Sequence, residues 1–304
     1  MQLQHYLDIT DLSADLTREV LRRAAVLKRA PLRPELLAGR SLAMIFEKSS
    51  TRTRVSFEVG MTQLGGHALF LSSRDTQLGR GEPVADTARV LSRMVDAVMI
   101  RNDSHTAQQS FAEHSDVPVI NGLSEQSHPC QILADLQTFA EHRGDIRGRK
   151  VAWIGDANNV CASWAHAAEL LDFELVVCSP SGYDLEAASW SVNSPQVRAE
   201  TQPAIAASGA ALVVTDVWAS MGQEEEQRQR MAAFADYQVN TALMAQADPE
   251  ALFMHCLPAH RGEEVSAAVI DGAQSVVWDE AENRLHAQKA LLTLLLGIPN
   301  SEFA

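Results

Sequence analysis

The sequence predicts two α/β domains, each a doubly wound parallel sheet, with an active site in the cleft between them. Three observations lead there. From Lys28 onward, short apolar runs of strand length alternate with longer amphipathic stretches of helical period, the pattern of a parallel sheet covered on both faces. A polar, glycine-punctuated segment, GDIRGRK, interrupts the series midway, and a second series starts at Val151. At 304 residues, the chain is near the size at which one core stops growing.

In order along the first series, Ser41–Phe46 (SLAMIF) reads as a strand, Arg52–Leu64 as a helix and His67–Leu71 as a strand. Pro83–Met94 reads as a helix, Ala97–Ile100 as a strand, His105–His114 as a helix and Pro118–Ile120 as a strand, before a helix over about Cys130–His142. The second series comprises strand Val151–Ile154, helix Val160–Leu171, and strands Glu174–Cys178, Ala211–Thr215, Leu252–His255 and Ser275–Val277. A last helix, Ala281–Leu296, has the length to cross back to the first domain. The expected domains are therefore residues 1–145, joined by a C-terminal helix over about 287–304, and residues 146–286.

Composition narrows the function classes. With 46% hydrophobic and 21% charged residues the chain is an ordinary globular protein. A net charge of -14 argues against nucleic acid as a partner, because phosphate backbones select basic surfaces. No run approaches the roughly 20 apolar residues of a membrane span. The N-terminal MQLQHYLDIT has no basic-then-apolar export pattern. Cys130, Cys161, Cys178 and Cys256 form no CxxC pair, which fits reduced thiols in a cytoplasmic setting.

Four segments carry candidate chemistry. Ser49-Ser50-Thr51-Arg52-Thr53-Arg54 follows an expected strand and opens an expected helix, where hydroxyls, free backbone N–H groups and the positive end of a helix dipole coincide. Arg52 adds a planar donor fork for phosphate oxygens. Simple N-capping by Ser50 or Thr51 is the alternative. His128-Pro129-Cys130-Gln131 opens another helix, so that His128 and Gln131 can point into one cleft and donate to an oxygen that gains negative charge; a turn-shaping His-Pro is the alternative.

His255-Cys256-Leu257-Pro258 ends a strand, where ligands of open α/β sheets bind. A zinc site there is disfavoured, since adjacent strand residues face opposite ways and no further ligand pair completes it. A buried, inert thiol remains the alternative. Asp216 in Asp216-Val217-Trp218-Ala219-Ser220-Met221-Gly222 also follows a strand; an acid there can hold an ammonium group or merely cap a turn.

Together STRTR, HPxQ, DxxxSMG and HCLP resemble the carbamoyltransferase family, specifically its ornithine branch. The likeness runs from FEKSSTRTRVSFEVG through LSSRDTQLGRGEPVADTARVLSRMVDAVMIR and WIGDANN to AENR. HCLP and SMG separate it from the aspartate branch, which shares the other two elements. The resemblance implies that Ser50, Thr51, Arg52 and Thr53 bind the phosphate of carbamoyl phosphate, with Gln77 from the loop Ser72–Glu82 reaching a neighbouring subunit's site. It further implies that Arg101, His128 and Gln131 hold the carbamoyl oxygen and the bridging region and that Arg284 completes the cationic pocket, with Cys256 and Leu257 beside the carbamoyl group. Asn159, Asp216, Ser220 and Met221 would bind L-ornithine, and Cys256, Asp216, Arg101 and His128 would act in catalysis.

It implies no cofactor and no metal, and a homotrimer or an assembly of trimers. Ser49, Cys130 and Ala162 depart from the commonest family spelling, at positions given no chemical role. Sister enzymes acting on acylated ornithine, putrescine or aspartate are the nearest rivals. SMG argues for a full amino acid, and Ser72–Glu82 lacks the tryptophan that binds an acyl group in one sister. A nicotinamide-dependent oxidoreductase is disfavoured because the turn GDANNV lacks G-x-G-x-x-G. A non-catalytic binding subunit would be expected to have lost reactive residues that are present here.

Overall fold

The computed structural model describes residues 5–30, 35–72, 81–188, 190, 193–219 and 227–303. The chain forms two compact units, Met1–Gln137 with Glu282–Ala304, and Thr138–Ala281.

The first unit begins with helix α1 (Ala14–Arg29), capped by the Ser13 side chain on Leu16 N. Four strands follow, β1 (Ser41–Phe46), β2 (His67–Ser72), β3 (Ala97–Arg101) and β4 (Val119–Leu123), all parallel in the order β2-β1-β3-β4. Helices α2 (Thr51–Gln63), α3 (Val84–Leu91) and α4 (His105–Glu113) connect them, and α5 (Pro129–Arg143) leaves the last strand. The apolar residues of β1 and β3 are buried, as are Val119 and Ile120 of β4, which two-sided coverage of a parallel sheet requires, whereas edge strand β2 leaves Leu69 and Phe70 partly exposed. The chain order reverses between β1 and β3, which opens a crevice at their carboxyl ends.

The second unit holds β5 (Lys150–Ile154), α6 (Asn159–Leu171), β6 (Glu174–Cys178), β7 (Val197–Glu200), α7 (Pro203–Ala207) and β8 (Leu212–Thr215). After α8 (Gln227–Ala233) and α9 (Thr241–Met244) come β9 (Leu252–His255) and α10 (Ala267–Ile270). The sheet order is β7-β6-β5-β8-β9, again all parallel, with its reversal between β5 and β8. Trp153 and Trp164 are fully buried in this unit.

The final helix, α11 (Val277–Leu295), corrects one expected strand. Ser275 forms only an isolated bridge with Phe253, and Val277 already belongs to the helix. A run of three apolar residues is too short for periodicity to separate a strand from a helix start. The part of α11 that belongs to the first unit packs closely on α2. A Cβ added at Gly60 would meet Lys289 Cγ at 3.3 Å and Leu285 Cδ1 at 3.6 Å, and Lys289 Nζ donates to Gln63 at 2.9 Å.

Candidate active site

In the first unit, the chain reversal places the start of α2 beside the end of β3. Phe46 and Arg101 are register partners on β1 and β3, and Ser50 caps α2 by accepting a 3.4 Å hydrogen bond from Thr53 N. Thr53, fully buried, is where the cluster closes: Arg101 Nη1 donates to its Oγ1 at 3.0 Å and Arg284 Nη2, from α11, at 2.9 Å. Arg284 Nη1 also donates to Gln131 Oε1 at 2.5 Å and lies 3.3 Å from His128 Nε2. Gln131 in turn donates to buried Asp135 at 2.8 Å, which fixes its amide so that the oxygen faces Arg284.

Four stretches of the first unit thus meet: Thr53 on α2, Arg101 on β3, His128 and Gln131 at the start of α5, and Arg284 on α11. Two guanidinium groups sharing one hydroxyl at a helix N-terminus form a cationic, donor-rich cradle suited to a small, doubly charged anion. Arg52 belongs to the same field, since its charge, with those of Arg284 and Arg101, acts on His128. Ser50 and Arg52 are half-buried and Thr51 is exposed.

His128 is a neutral imidazole. Burial first, then the charges of Arg284, Arg101 and Arg52, hold its pKa well below 6.5. With Arg284 donating to Nε2, the ring proton sits on Nδ1. The linkage sign follows from this depression. The unfolded chain takes up a proton near pH 6.5 that the folded site refuses, so His128 costs stability progressively as pH falls below that value. Replacing His128 with Gln is expected to flatten the acid-side slope of unfolding free energy by up to about 1.4 kcal/mol per pH unit. Denaturant midpoints from pH 7 down to pH 5 measure this, and an unchanged slope contradicts a neutral His128.

In the second unit, three residues from the carboxyl ends of adjacent strands converge. Asp216, just after β8, accepts from Asn158 Nδ2 at 2.8 Å, from Val217 N at 2.8 Å and from Cys256 Sγ at 3.2 Å. Asn158 precedes α6 and caps it, with Oδ1 accepting from Val160 N and Cys161 N. Asn159, the residue singled out from the sequence, is the first of the helix and half-buried. Asn158 was missed; the signal was present in the Asn-Asn pair, whose two members divide into a cap and a first-turn residue. A carboxylate held by two N–H donors and a thiol can receive an ammonium group without reorganising.

Loop geometry after β9 rests on a buried pair also not anticipated. His255 Nε2 lies 3.1 Å from Glu264 Oε1, both residues fully buried, while His255 Nδ1 accepts from Leu257 N at 2.9 Å. Leu257 adopts φ +58°. Ligand atoms of Asp216, His255 and Cys256 lie within 4.8 Å of one another, so the strand-alternation reasoning against zinc does not describe this loop, where Cys256 follows the strand rather than continuing it. The hydrogen bonds supply a better reason. Both ring nitrogens of His255 are engaged, one accepting and one donating, which leaves no lone pair for a metal.

A second brace was likewise invisible in the sequence. Arg230 of α8 donates to Asp156 Oδ2 at 2.6 Å and to Trp218 O at 2.8 Å, and lies 4.8 Å from the Tyr183 ring centroid. Burial raises the Asp156 carboxyl above its ordinary value against the opposing pull of Arg230. Cys130 is buried, donates to Asn121 O at 3.3 Å, and has its thiol pushed up to about 12 by burial, so it stays protonated. Gln77, Ser220 and Met221 lie outside the described residues.

Comparison with known proteins identifies the family. The family model for the aspartate/ornithine carbamoyltransferase carbamoyl-P binding domain matches residues 4–141, and that for the Asp/Orn binding domain matches residues 147–295. An ornithine carbamoyltransferase of Methylococcus capsulatus is 61% identical over 296 residues, covering 97% of this chain and 99% of that protein. An anabolic ornithine carbamoyltransferase of Pseudomonas aeruginosa is 56% identical over 97% of this chain and 98% of its own length. The crystal structure of ornithine carbamoyltransferase from Burkholderia thailandensis superimposes with a TM-score of 0.89 at 55% identity, covering 97% of this chain and 99% of that one. The chain belongs to the aspartate/ornithine carbamoyltransferase family.

Proposed function

We propose that this enzyme transfers the carbamoyl group of carbamoyl phosphate to the side-chain amine of L-ornithine, giving L-citrulline and phosphate, in the biosynthetic direction of arginine metabolism. The observation that carries the reading is the meeting of Arg101 and Arg284 on the Thr53 hydroxyl, a cationic cradle within a chain of net charge -14. Relatives named ornithine carbamoyltransferase, one of them anabolic, support the acceptor and the direction.

In this reading Ser50, Thr51, Arg52, Thr53 and Gln77 bind the phosphate, and Arg101, His128, Gln131 and Arg284 hold the carbamoyl and bridging oxygens. Cys256 and Leu257 lie beside the carbamoyl group, and Asn159, Asp216, Ser220 and Met221 bind ornithine. The obstacle is protonation. An alkylamine of pKa about 10.4 is neutral in only about one molecule in a few thousand near pH 7, and only that form attacks. Asp216 and Cys256 orient the amine and assist loss of its proton. The nitrogen adds to the carbonyl carbon while Arg101, the Nδ1–H of His128 and Thr53 stabilise the oxyanion. The C–O bond to phosphate then breaks, and the departing phosphate, held by the α2 N-terminus and the arginines, takes up the proton.

Replacing Cys256 with Ala is expected to lower kcat about a hundredfold while leaving the KM for carbamoyl phosphate unchanged. Steady-state kinetics measure it, and unaltered kcat and KM remove the thiol from the scheme.

A homotrimer or an assembly of trimers fits the exposed apolar side chains Val55, Val59, Leu69 and Phe70 of the first unit, a surface that association would cover. A cytoplasmic setting fits the four free cysteines. Among the described residues no helix is long and apolar enough to cross a membrane.

The reading is tested by phosphate release from carbamoyl phosphate with L-ornithine, N-acetylornithine, putrescine and aspartate in parallel. Turnover with L-ornithine alone is expected. Turnover with another amine instead overturns the acceptor assignment, and no turnover with any overturns the activity.

A further inference from the structure

Directly beyond the loop that carries Cys256, a second group of side chains converges, and the carbamoyl-transfer scheme does not use it. His260 Nδ1 lies 3.7 Å from Glu263 Oε2 and 3.9 Å from Glu264 Oε2, and the ligand atoms of the three residues fall within 4.8 Å of one another. Glu264 is fully buried, and its two oxygens differ. Oε1 accepts from His260 N at 2.6 Å and from His255 at 3.1 Å, whereas the buried Oε2 has no hydrogen-bond partner among the described residues. An orphaned carboxylate oxygen in a buried position costs free energy unless a cation meets it. The neighbouring cation Arg261 is committed elsewhere, with two hydrogen bonds to Asp271 at 3.0 and 2.7 Å.

We propose that His260, Glu263 and Glu264 form a binding site for a divalent transition-metal ion, built on the same carboxylate that braces the Cys256 loop. The donor set, one imidazole nitrogen and two carboxylate oxygens, is that of borderline-to-hard ions such as Mn²⁺ or Zn²⁺. Ligands at about 2.1 Å from a metal lie roughly 3 to 3.4 Å apart, so the observed separations need only a small contraction. The parts free to make it are the right ones. His260 and Glu263 are partly exposed, while Glu264 is fixed through Oε1. The backbone beneath is also pinned, since Gln238 donates to Glu263 O and Val239 N to Glu264 O, both at 2.9 Å.

The site would be coupled to the neighbouring loop. Glu264 Oε1 engages His255 Nε2, and His255 Nδ1 accepts from Leu257 N, so a metal held on Oε2 stiffens the segment that presents Cys256. The ion has a regulatory or stabilising role and takes no part in the transfer chemistry.

Mn²⁺ is the probe of choice, because its low affinity for thiols keeps Cys256 from competing. Chelator-treated full-length protein is titrated with Mn²⁺ and followed by electron paramagnetic resonance, alongside Glu263→Gln and His260→Gln. One Mn²⁺ per chain is expected, with affinity lowered at least about tenfold in each variant. Mn²⁺ is also expected to slow alkylation of Cys256 by iodoacetamide in the parent protein and not in Glu263→Gln. Both substitutions are at partly exposed side chains and are expected to leave metal-free carbamoyl transfer unchanged. Equal Mn²⁺ binding by parent and variants, or none by the parent, overturns the site. Unaltered alkylation despite binding overturns the coupling. Carbamoyl transfer is measured separately, so failure here leaves the proposed activity standing.

Discussion

Replacing Arg101 with Ala is expected to lower kcat/KM for carbamoyl phosphate by about a thousandfold without destabilising the fold. Its Nη1 and Arg284 Nη2 donate to one Thr53 oxygen, which holds two like charges close together before any anion binds. Such an arrangement is a cost to the folded chain and a gain to the complex, the usual sign of a binding site. The alanine variant should therefore have an unchanged or raised Tm while losing about 4 kcal/mol of transition-state stabilisation, the equivalent of the thousandfold loss. Arg101→Lys keeps the charge and loses the planar fork, and it is expected to recover only part of the activity. Steady-state kinetics at saturating L-ornithine, paired with thermal melts, separate these effects. Activity within a few-fold of the parent would show that the cradle does not contact the reacting groups.

Asp216→Asn is expected to lower kcat/KM for L-ornithine by about a thousandfold and to leave the KM for carbamoyl phosphate unchanged. The two oxygens of Asp216 accept from Asn158, Val217 N and Cys256. An amide turns one of those acceptors into a donor, so at least one of these partners then faces a donor of its own kind. The negative charge that attracts an ammonium group is lost as well. The split between the two substrates is the informative part. An equal rise in both KM values points to collapse of the site as a whole, and the assignment of Asp216 to the amino-acid half then fails.

Much of the fold was legible because parallel strands buried on both faces are written as apolar runs. Ser41–Phe46, Glu174–Cys178 and Leu252–His255 fall where the sequence places them, and α2 starts one residue before its expected position. The failures have separate causes. Strand β7 (Val197–Glu200) lies at the sheet edge with its side chains only partly covered, so it carries no apolar run to find. Ser275–Val277 looked like a strand because its valines are buried, but one of them lies in the first turn of α11. Pro83–Met94 shortened to Val84–Leu91, with Pro83 as the cap and turns from Ser92 onward.

The candidate site was legible as separate segments and illegible as a network. The residues of the first-unit cluster were named one at a time, Thr53, His128 and Gln131 by their segments and Arg101 and Arg284 through the family resemblance. Nothing in their spacing says that Thr53 is the shared acceptor, or that Asp135 orients Gln131, because those facts arise only when a strand end and three helices fold together. Asn158, Glu264 and Arg230 went unread for a related reason. Each acts by holding another residue in place, and such roles depend on distances across the fold rather than on residue type.

The proposed activity is carbamoyl transfer to the side-chain nitrogen of L-ornithine. The most direct test is to mix the enzyme with ¹³C-carbamoyl phosphate and L-ornithine and follow the labelled carbon by NMR. A single new ureido resonance is expected, that of citrulline, with the label on the side-chain nitrogen's carbamoyl carbon, appearing in step with free phosphate. Label found on the α-amine, or only in the spontaneous breakdown products of carbamoyl phosphate, would contradict it.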